Sequence, residues 1–384
     1  MLSRDELAAW LRLGTTPGIS RGVARRLLAA LGSAERVLAA DEATLLALTG
    51  PDVVGILKRQ DASDDARLAA TQRWLDGAAP DAPHDLVTLG DPRYPALLLE
   101  TADPPLLLFT LGRVELLSTT SVAIVGSRMA TPQGIENARA FARSLSGSGV
   151  TVVSGLAVGI DAAAHEGALG GRGNTVAFIG TGLDRVYPAP HAALMRRILG
   201  AQGLVASEYP LGTPPRAENF PRRNRLIAGV SRCTLVVEAA LESGSLITAR
   251  LAVESGRDVF AIPGSIHSPQ SQGCHRLIQD GAKLAECADD VLRELGLGSP
   301  GASRRARLSP PQASLFAAGG ADAAETGPDG ALRDALGHDP VTFDALAART
   351  GLPSEQLASR LLELELAGDV VRLPGGLLQR RGQA

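Results

Sequence analysis

Residues 216–232, RAENFPRRNRLIAGVSR, hold five arginines (Arg216, Arg222, Arg223, Arg225 and Arg232) against the single acid Glu218. The chain as a whole carries a formal charge of -3, so the stretch is a local reversal of sign. Guanidinium forks grip phosphate oxygens two at a time, and Phe220, among the arginines, offers a ring face to an unstacked base. Asn224, between Arg223 and Arg225, adds an amide where a short helical pattern begins. A solvated basic helix face has the same composition. Three glycine-bearing strand-to-helix turns in the flanking sequence favour the phosphate reading: Gly126-Ser127-Arg128, Ser154-Gly155-Leu156-Ala157 and Ser243-Gly244-Ser245. A serine at a helix start either caps the free amides or leaves them to an anion. Taken singly, each serine is more simply a cap. Together, beside the arginines, the turns suit consecutive phosphates of a strand better than one small nucleotide.

Several chemistries lack their residues. The first turn has no GxGxxG, and the second strand ends Ser154-Gly155 without the acid that holds a dinucleotide ribose, so no cofactor is expected. Asp161 and His165, four apart, share one helix face and could form an acid–base pair, with Glu166 adjacent. No nucleophile elbow or Walker motif accompanies them, which favours a structural Asp and a packed His. Cys233, Cys274 and Cys287 show no CxxC spacing, which points to reduced thiols and away from zinc. MLSRDELAAW contains acids and no apolar core of a signal peptide, and no run of about 18 apolar residues occurs. The expectation is a cytoplasmic protein with no membrane partner and no bound metal. Of 38 basic residues only Lys58 and Lys283 are lysine, which fits a GC-rich coding bias.

A length of 384 residues implies two or three domains. Residues 1–80 read as helical, with apolar stripes at Leu7, Trp10, Leu11 and Leu13 and at Val23, Leu27, Leu28 and Leu31. The turn Thr16-Pro17-Gly18-Ile19-Ser20 between them, followed by Arg21, Arg25 and Arg26, resembles a helix-hairpin-helix, although Ser20 stands where a second glycine is usual. A bundle serving as spacer or protein contact is the alternative. Residues 83–118 read as an extended lead-in, strand-like at LVTL (86–89), packed on the next domain. From Val122 strands and helices alternate: VAIVG, VTVVSG, TVAFIG, LVASEY, TLVVEA and DVFAIPG. Apolar, unalternating strands of this kind belong to a parallel sheet covered on both faces, whose right-handed crossovers gather the turns on one edge. The fold class is therefore α/β, a doubly wound, mainly parallel sheet over residues 81–296. Residues 297–330, rich in Gly, Ala, Ser and Pro, read as a flexible linker. Residues 331–384 give three helices and a ribbon turning at Pro374-Gly375-Gly376, a winged helix. Its third helix carries Glu355, Glu363 and Glu365 against Arg360, a charge that repels a phosphate backbone, so base reading there is not expected.

The motifs VAIVGSRMATPQG, VSGLAVGIDAAAHEGAL, GTGLDRVYP, FPRRNRLIAG, LVVEAALESGSLITARLA and VFAIPGSIHSPQSQGCHRLIQDGA follow one another over about residues 86–285. In that order they resemble the DNA-processing protein A family, DprA or Smf. The resemblance implies an extended Rossmann domain that binds single-stranded DNA, forms a homodimer and helps load the RecA recombinase in natural transformation. It also implies a helical module before that domain and a winged helix after it. Carried onto this chain, the DNA-contacting set is Gly126, Ser127, Arg128, Ser154, Gly155, Phe220, Arg222, Arg223, Asn224, Arg225, Gly244, Ser245 and His275. The chain departs from the pattern at His275 and His191, where the family usually has asparagine. A competing enzyme reading starts from Ser243-Gly244-Ser245 with Thr248, which distantly resembles the PGGxGT turn of nucleoside monophosphate phosphoribohydrolases. This chain lacks the PGG triplet, and Glu238 precedes the turn instead of following it.

Overall fold

The computed structural model describes residues 2–59, 62–80, 82–298 and 340–380, with Leu332, Ala335 and Leu336. Nearly all of the expected linker, and most of the first helix expected after it, lie outside these residues. Six helices come first: α1 (Arg4–Thr15), α2 (Arg21–Leu31), α3 (Ala34–Ala39), α4 (Glu42–Leu48), α5 (Pro51–Lys58) and α6 (Ala62–Asp76). Their starts are legible locally. Ser3, Ser20, Ser33 and Asp41 each accept from the amide three residues on, which satisfies donors that the helix cannot.

Among the described residues the central sheet has nine strands in the order β1-β2-β6-β5-β4-β3-β7-β8-β9. They are β1 (His84–Thr88), β2 (Leu107–Gly112), β3 (Ser121–Val125), β4 (Thr151–Ser154), β5 (Thr175–Phe178), β6 (Leu204–Ser207), β7 (Cys233–Val236), β8 (Asp258–Ala261) and β9 (Lys283–Leu284). The strands from β6 through β9 run parallel, as their unbroken apolar runs require. The extended lead-in joins the sheet itself. It supplies β1 and β2, hydrogen-bonded antiparallel to each other, with β2 also antiparallel to β6, because Leu107–Gly112 is buried along its length and must pair on both sides.

Strand β3 shows how the layers form. Val122 and Ile124 enter a core with α8 (Pro132–Gly147) and α9 (Ile160–Ala168). Ala123 and Val125 face the opposite core, with α11 (Asn219–Val230) and α12 (Gly244–Glu254). The remaining helices of this region are α7 (Ala96–Leu99), α10 (Ala192–Gly200), α13 (Gln272–Gln279) and α14 (Ala288–Glu294). The N-terminal helices share a third core with the antiparallel end of the sheet, where Leu7, Trp10, Leu11 and Leu27 meet Leu107, Phe109 and Val205. Strand β3 has β4 on one side and β7 on the other, so the connection reverses there. In open α/β sheets the crevice at the carboxyl ends of such a pair is where ligands bind.

After the undescribed segment, α15 (Phe343–Thr350) and α16 (Ser354–Leu366) pack with a three-stranded antiparallel sheet of β10 (Val341–Thr342), β12 (Leu377–Arg380) and β11 (Val370–Arg372). Leu346, Leu357, Leu361 and Leu378 form its core. The wing folds back on the third helix, where Arg372 Nε meets Glu365 Oε1 at 3.0 Å.

Candidate nucleic-acid interface

The turns after β3 and β7 meet at the reversal point and line a cleft of about 430 Å³ with Arg128, Asp161, Arg223, Asn224, Ser243 and Gln270. The first turn is held from below. Ser127 N–H donates to Glu238 O at 2.7 Å and Ser127 Oγ accepts from Met129 N at 3.0 Å. Ile160 N–H donates to Ser127 O at 3.2 Å, so the start of α9 is tied to this turn. Gly159 makes that approach feasible. Its φ is +83°, and a Cβ there would stand 3.0 Å from the Arg128 Cα and closer still to the Ser127 carbonyl oxygen. Gly126 stands partly exposed beneath the turn. Arg128 leaves the turn into solvent. Its guanidinium carbon sits 5.8 Å from the Phe220 ring centroid, and Phe220 in turn lies 5.3 Å from the Tyr187 ring. The acid Glu238, which could have paired with Arg128, instead accepts from Thr131 N and Oγ1 at 2.9 and 2.6 Å.

At the third turn Ser243 Oγ caps α12, accepting from Ser245 N at 3.3 Å and lying 2.6 Å from Ser245 Oγ. Gly244 is exposed at the rim. The second turn is occupied by the protein itself. Asp161 Oδ2 accepts from Gly155 N at 3.1 Å, and Ser154 Oγ donates to Ile124 O at 2.7 Å. Leu156 has φ +57°, rare for a branched side chain, and two histidines clamp it. Its N–H donates to His165 Nε2 at 3.3 Å, and its carbonyl meets His191 Nδ1 at 2.8 Å. With Nε2 accepting, His165 Nδ1–H donates to Thr175 Oγ1 at 2.7 Å, so the imidazole is neutral. Burial, aided by the field of Arg223, pushes its pKa down to about 3. Burial pushes the Asp161 carboxyl up, against the pull of Arg223 and the loop amides. Asp161 and His165 thus both fasten one loop.

The basic helix divides. Arg222 and Arg216 are exposed, and Asn224 is half-buried on the cleft wall. Arg223 is 3% exposed and donates from Nη1 to Phe178 O at 2.5 Å, while its Nε has no partner. Burial lowers its pKa to about 10. Arg225 is held by Glu208 and by the Asp103 carbonyl, and Arg21 of α2 reaches the same Glu208 at 3.0 Å. Burial raises the Glu208 carboxyl, with Arg225 and Arg21 opposing it. Two of the three hairpin cations of the N-terminal domain are therefore engaged by the protein, since Arg25 also donates to Ala102 O at 3.0 Å, while Arg26 is exposed. His275 Nε2 lies 3.0 Å from Gly264 O and braces the loop after β8.

A family model described as DNA recombination-mediator protein A matches residues 85–296, and one described as DprA winged helix domain matches residues 316–376. Protein Smf of Escherichia coli (strain K12) is 42% identical over 301 residues, 78% of each chain. The chain belongs to the DprA/Smf family. DNA processing protein DprA of Streptococcus pneumoniae is 50% identical over 204 residues, 53% of this chain and 72% of that one. The X-ray structure of the pneumococcal protein aligns with TM-score 0.65 at 37% identity, covering 76% of this chain and 98% of that one. A Helicobacter pylori DprA structure, described in terms of that protein's single-stranded DNA binding mode, aligns with TM-score 0.50 at 31% identity, covering 55% and 95%. In this DprA/Smf chain His191 and His275 have a visible task. Each meets a backbone carbonyl of a loop beside the cleft, as an asparagine amide also could. Tyr187 was not singled out in the sequence; it meets Phe220 only through the fold, and its one local cue is its place in the family motif GTGLDRVYP. Among the described residues no helix is long and apolar enough to cross a membrane, and no cluster of metal ligands forms.

Proposed function

We propose that this chain binds single-stranded DNA along the reversal-point cleft, shields it and helps load the RecA recombinase onto it, in recombination of incoming DNA during natural transformation. The observation that carries the reading is the conjunction at the cleft mouth. Arg128 is exposed there and Arg222 is exposed just beyond it on the first turn of α11, neither with an ion pair among the described residues, beside the tilted ring pair of Phe220 and Tyr187. Cations for phosphates and aromatic rings for bases are what an unpaired strand offers partners to, without regard to sequence. The buried arginines act differently: Arg223 and Arg225 set the shape of the surface from which Arg128 and Arg222 reach. The chain acts in the cytoplasm, as a homodimer through its Rossmann domain. Val253 and Leu284, 63% and 45% exposed, support this at the β8–β9 end, where β9 is an open edge strand.

The chain works by binding and not by catalysis. Nothing at the site favours a nucleotide hydrolase: Glu238 is turned onto Thr131, and His165 is neutral and enclosed. Incubation with nucleoside monophosphates should release no free base. The decisive test is a titration against single- and double-stranded oligonucleotides at several salt concentrations. Single strands should bind tighter, with a log–log salt slope of about -0.7 for each phosphate neutralised. Equal or tighter binding to duplex of the same length would refute the proposal.

A further inference from the structure

A second cleft, of about 510 Å³, opens on the far side of the first turn of α11, between the Rossmann domain and the N-terminal helices. Arg216 and Arg222 line it from the Rossmann side, the loop after β6 from Tyr209 to Pro214 forms its floor, and Arg67 of α6 closes it from the N-terminal domain. Three guanidinium groups face it against one lining acid, Glu218. Among the described residues neither Arg216 nor Arg222 has an ion pair. Arg67 meets Asp64 one turn earlier at 2.9 Å, which fixes its position and leaves the other two uncompensated. The walls are held in register by the Arg21–Glu208–Arg225 cluster, with Glu208 only 5% exposed, so the cleft exists before any ligand arrives.

Cations gathered in an open, preformed groove call for a polyanion. Asn219 and Arg222 line this second cleft while Arg223 and Asn224 line the first, so the two clefts lie on either side of the first turns of α11. The Phe220–Tyr187 pair stands at that ridge. We infer that one DNA strand runs from the reversal-point cleft over these rings into the second cleft, and that Arg67 grips its backbone. The N-terminal domain thus takes part in DNA binding through α6, while Arg21 and Arg25 of its hairpin are engaged by Asp103 and Ala102. The inference rests on the single-strand reading of the first cleft.

The test uses the full chain and labelled oligothymidylates of graded length, followed by fluorescence anisotropy. Wild-type affinity should rise with length until the strand fills both clefts. Arg67→Glu should leave the shortest bound oligonucleotide unaffected and weaken the long ones by about tenfold or more, lowering the salt slope by about 0.7 per lost phosphate. Arg67→Lys should keep most of the affinity, and Arg216→Glu, from the opposite wall, should reproduce the length-dependent loss if Arg67→Glu fails to fold. Arg128→Ala should weaken short and long strands alike. If folded Arg67→Glu binds long strands as wild type does while Arg128→Ala weakens both, the inference falls and the single-strand reading stands. If Arg67→Glu alters only competition by inorganic phosphate and not length dependence, the cleft is an isolated anion pocket and the inference falls again. If the wild-type chain binds no single strand, both are refuted together.

Discussion

Gly155→Ala tests whether the second turn serves the protein or the DNA. A Cβ built on Gly155 would lie 2.5 Å from Cζ and 2.6 Å from Nη2 of Arg223. The glycine has an ordinary φ, so an alanine backbone is tolerated there and would by itself add about 0.4–1 kcal/mol of stability through the unfolded chain. Sterics oppose this. Overfilling a packed site costs about 1–3 kcal/mol. Displacing the guanidinium from Phe178 O and from the field of Asp161 removes a charge-assisted hydrogen bond, a further loss of about 1.5–3 kcal/mol. The sum is a loss of about 2–5 kcal/mol. The two tryptophans, Trp10 and Trp74, both sit in the N-terminal helices, so urea unfolding should be followed by far-ultraviolet circular dichroism. Arg223→Leu removes the obstacle, and in that background Gly155→Ala should be neutral or slightly stabilising. An interaction energy of about 2 kcal/mol or more is therefore expected from the double-mutant cycle. Additivity within about 0.5 kcal/mol would refute the argument. A Gly155→Ala protein of unchanged stability but weaker DNA binding would mean that the glycine makes room for the strand.

Four further outcomes are expected. Arg128→Ala should weaken single-strand binding by about 1–3 kcal/mol with an unchanged melting temperature, because the side chain is exposed and unpaired among the described residues; Arg128→Lys should recover only part. Arg225→Ala leaves Glu208 buried with one fewer cation and should cost about 3–5 kcal/mol in urea unfolding, more than Arg21→Ala. His165, held neutral to about pH 3, takes up a proton in the unfolded chain below its ordinary value of about 6.5 but not in the folded one, so stability should fall as pH drops through that window. The slope should be at most about 1.4 kcal/mol per pH unit, and His165→Gln should flatten it. A protein ending near residue 296 should keep most of its single-strand affinity, since α16 is acidic and the wing's Arg372 is engaged by Glu365; loss of binding by that folded protein would overturn the charge argument.

The parallel sheet was legible because each of its strands is a short apolar run between glycine turns, and periodicity reports burial directly. In the lead-in the strand-like run LVTL was legible as β1, but the antiparallel pairing was not, since β2 is fixed by hydrogen bonds with β6, about a hundred residues later. Within the basic stretch the sign of charge was legible and its direction was not. A signal existed: Arg223, Leu226, Ile227 and Val230 recur at i, i+3, i+4 and i+7, and all four are buried in α11. Arginine counted as a surface residue masks that stripe. Tyr187 and Arg67 enter only through tertiary placement, which no local pattern contains.

The division of the arginines also bears on why this chain uses so little lysine. Coding bias accounts for composition but not for position 223. A guanidinium buried there stays charged even after its pKa falls to about 10, because it begins so high. An ammonium begins near 10.4, and the same burial would carry it towards neutrality, leaving Asp161 without a compensating charge inside the fold. Its single nitrogen also could not donate to Phe178 O while presenting a flat face to Gly155. The inner position of the basic stretch therefore requires arginine on physical grounds. The outer positions, Arg222 and Arg216, ask only for a cation, improved by the fork where two phosphate oxygens are within reach. The start of α11 thus meets two demands from opposite faces: Arg223 packs inward on Gly155 and Phe178 O, while Arg222, next to it, and Arg216, just before the helix, face the second cleft.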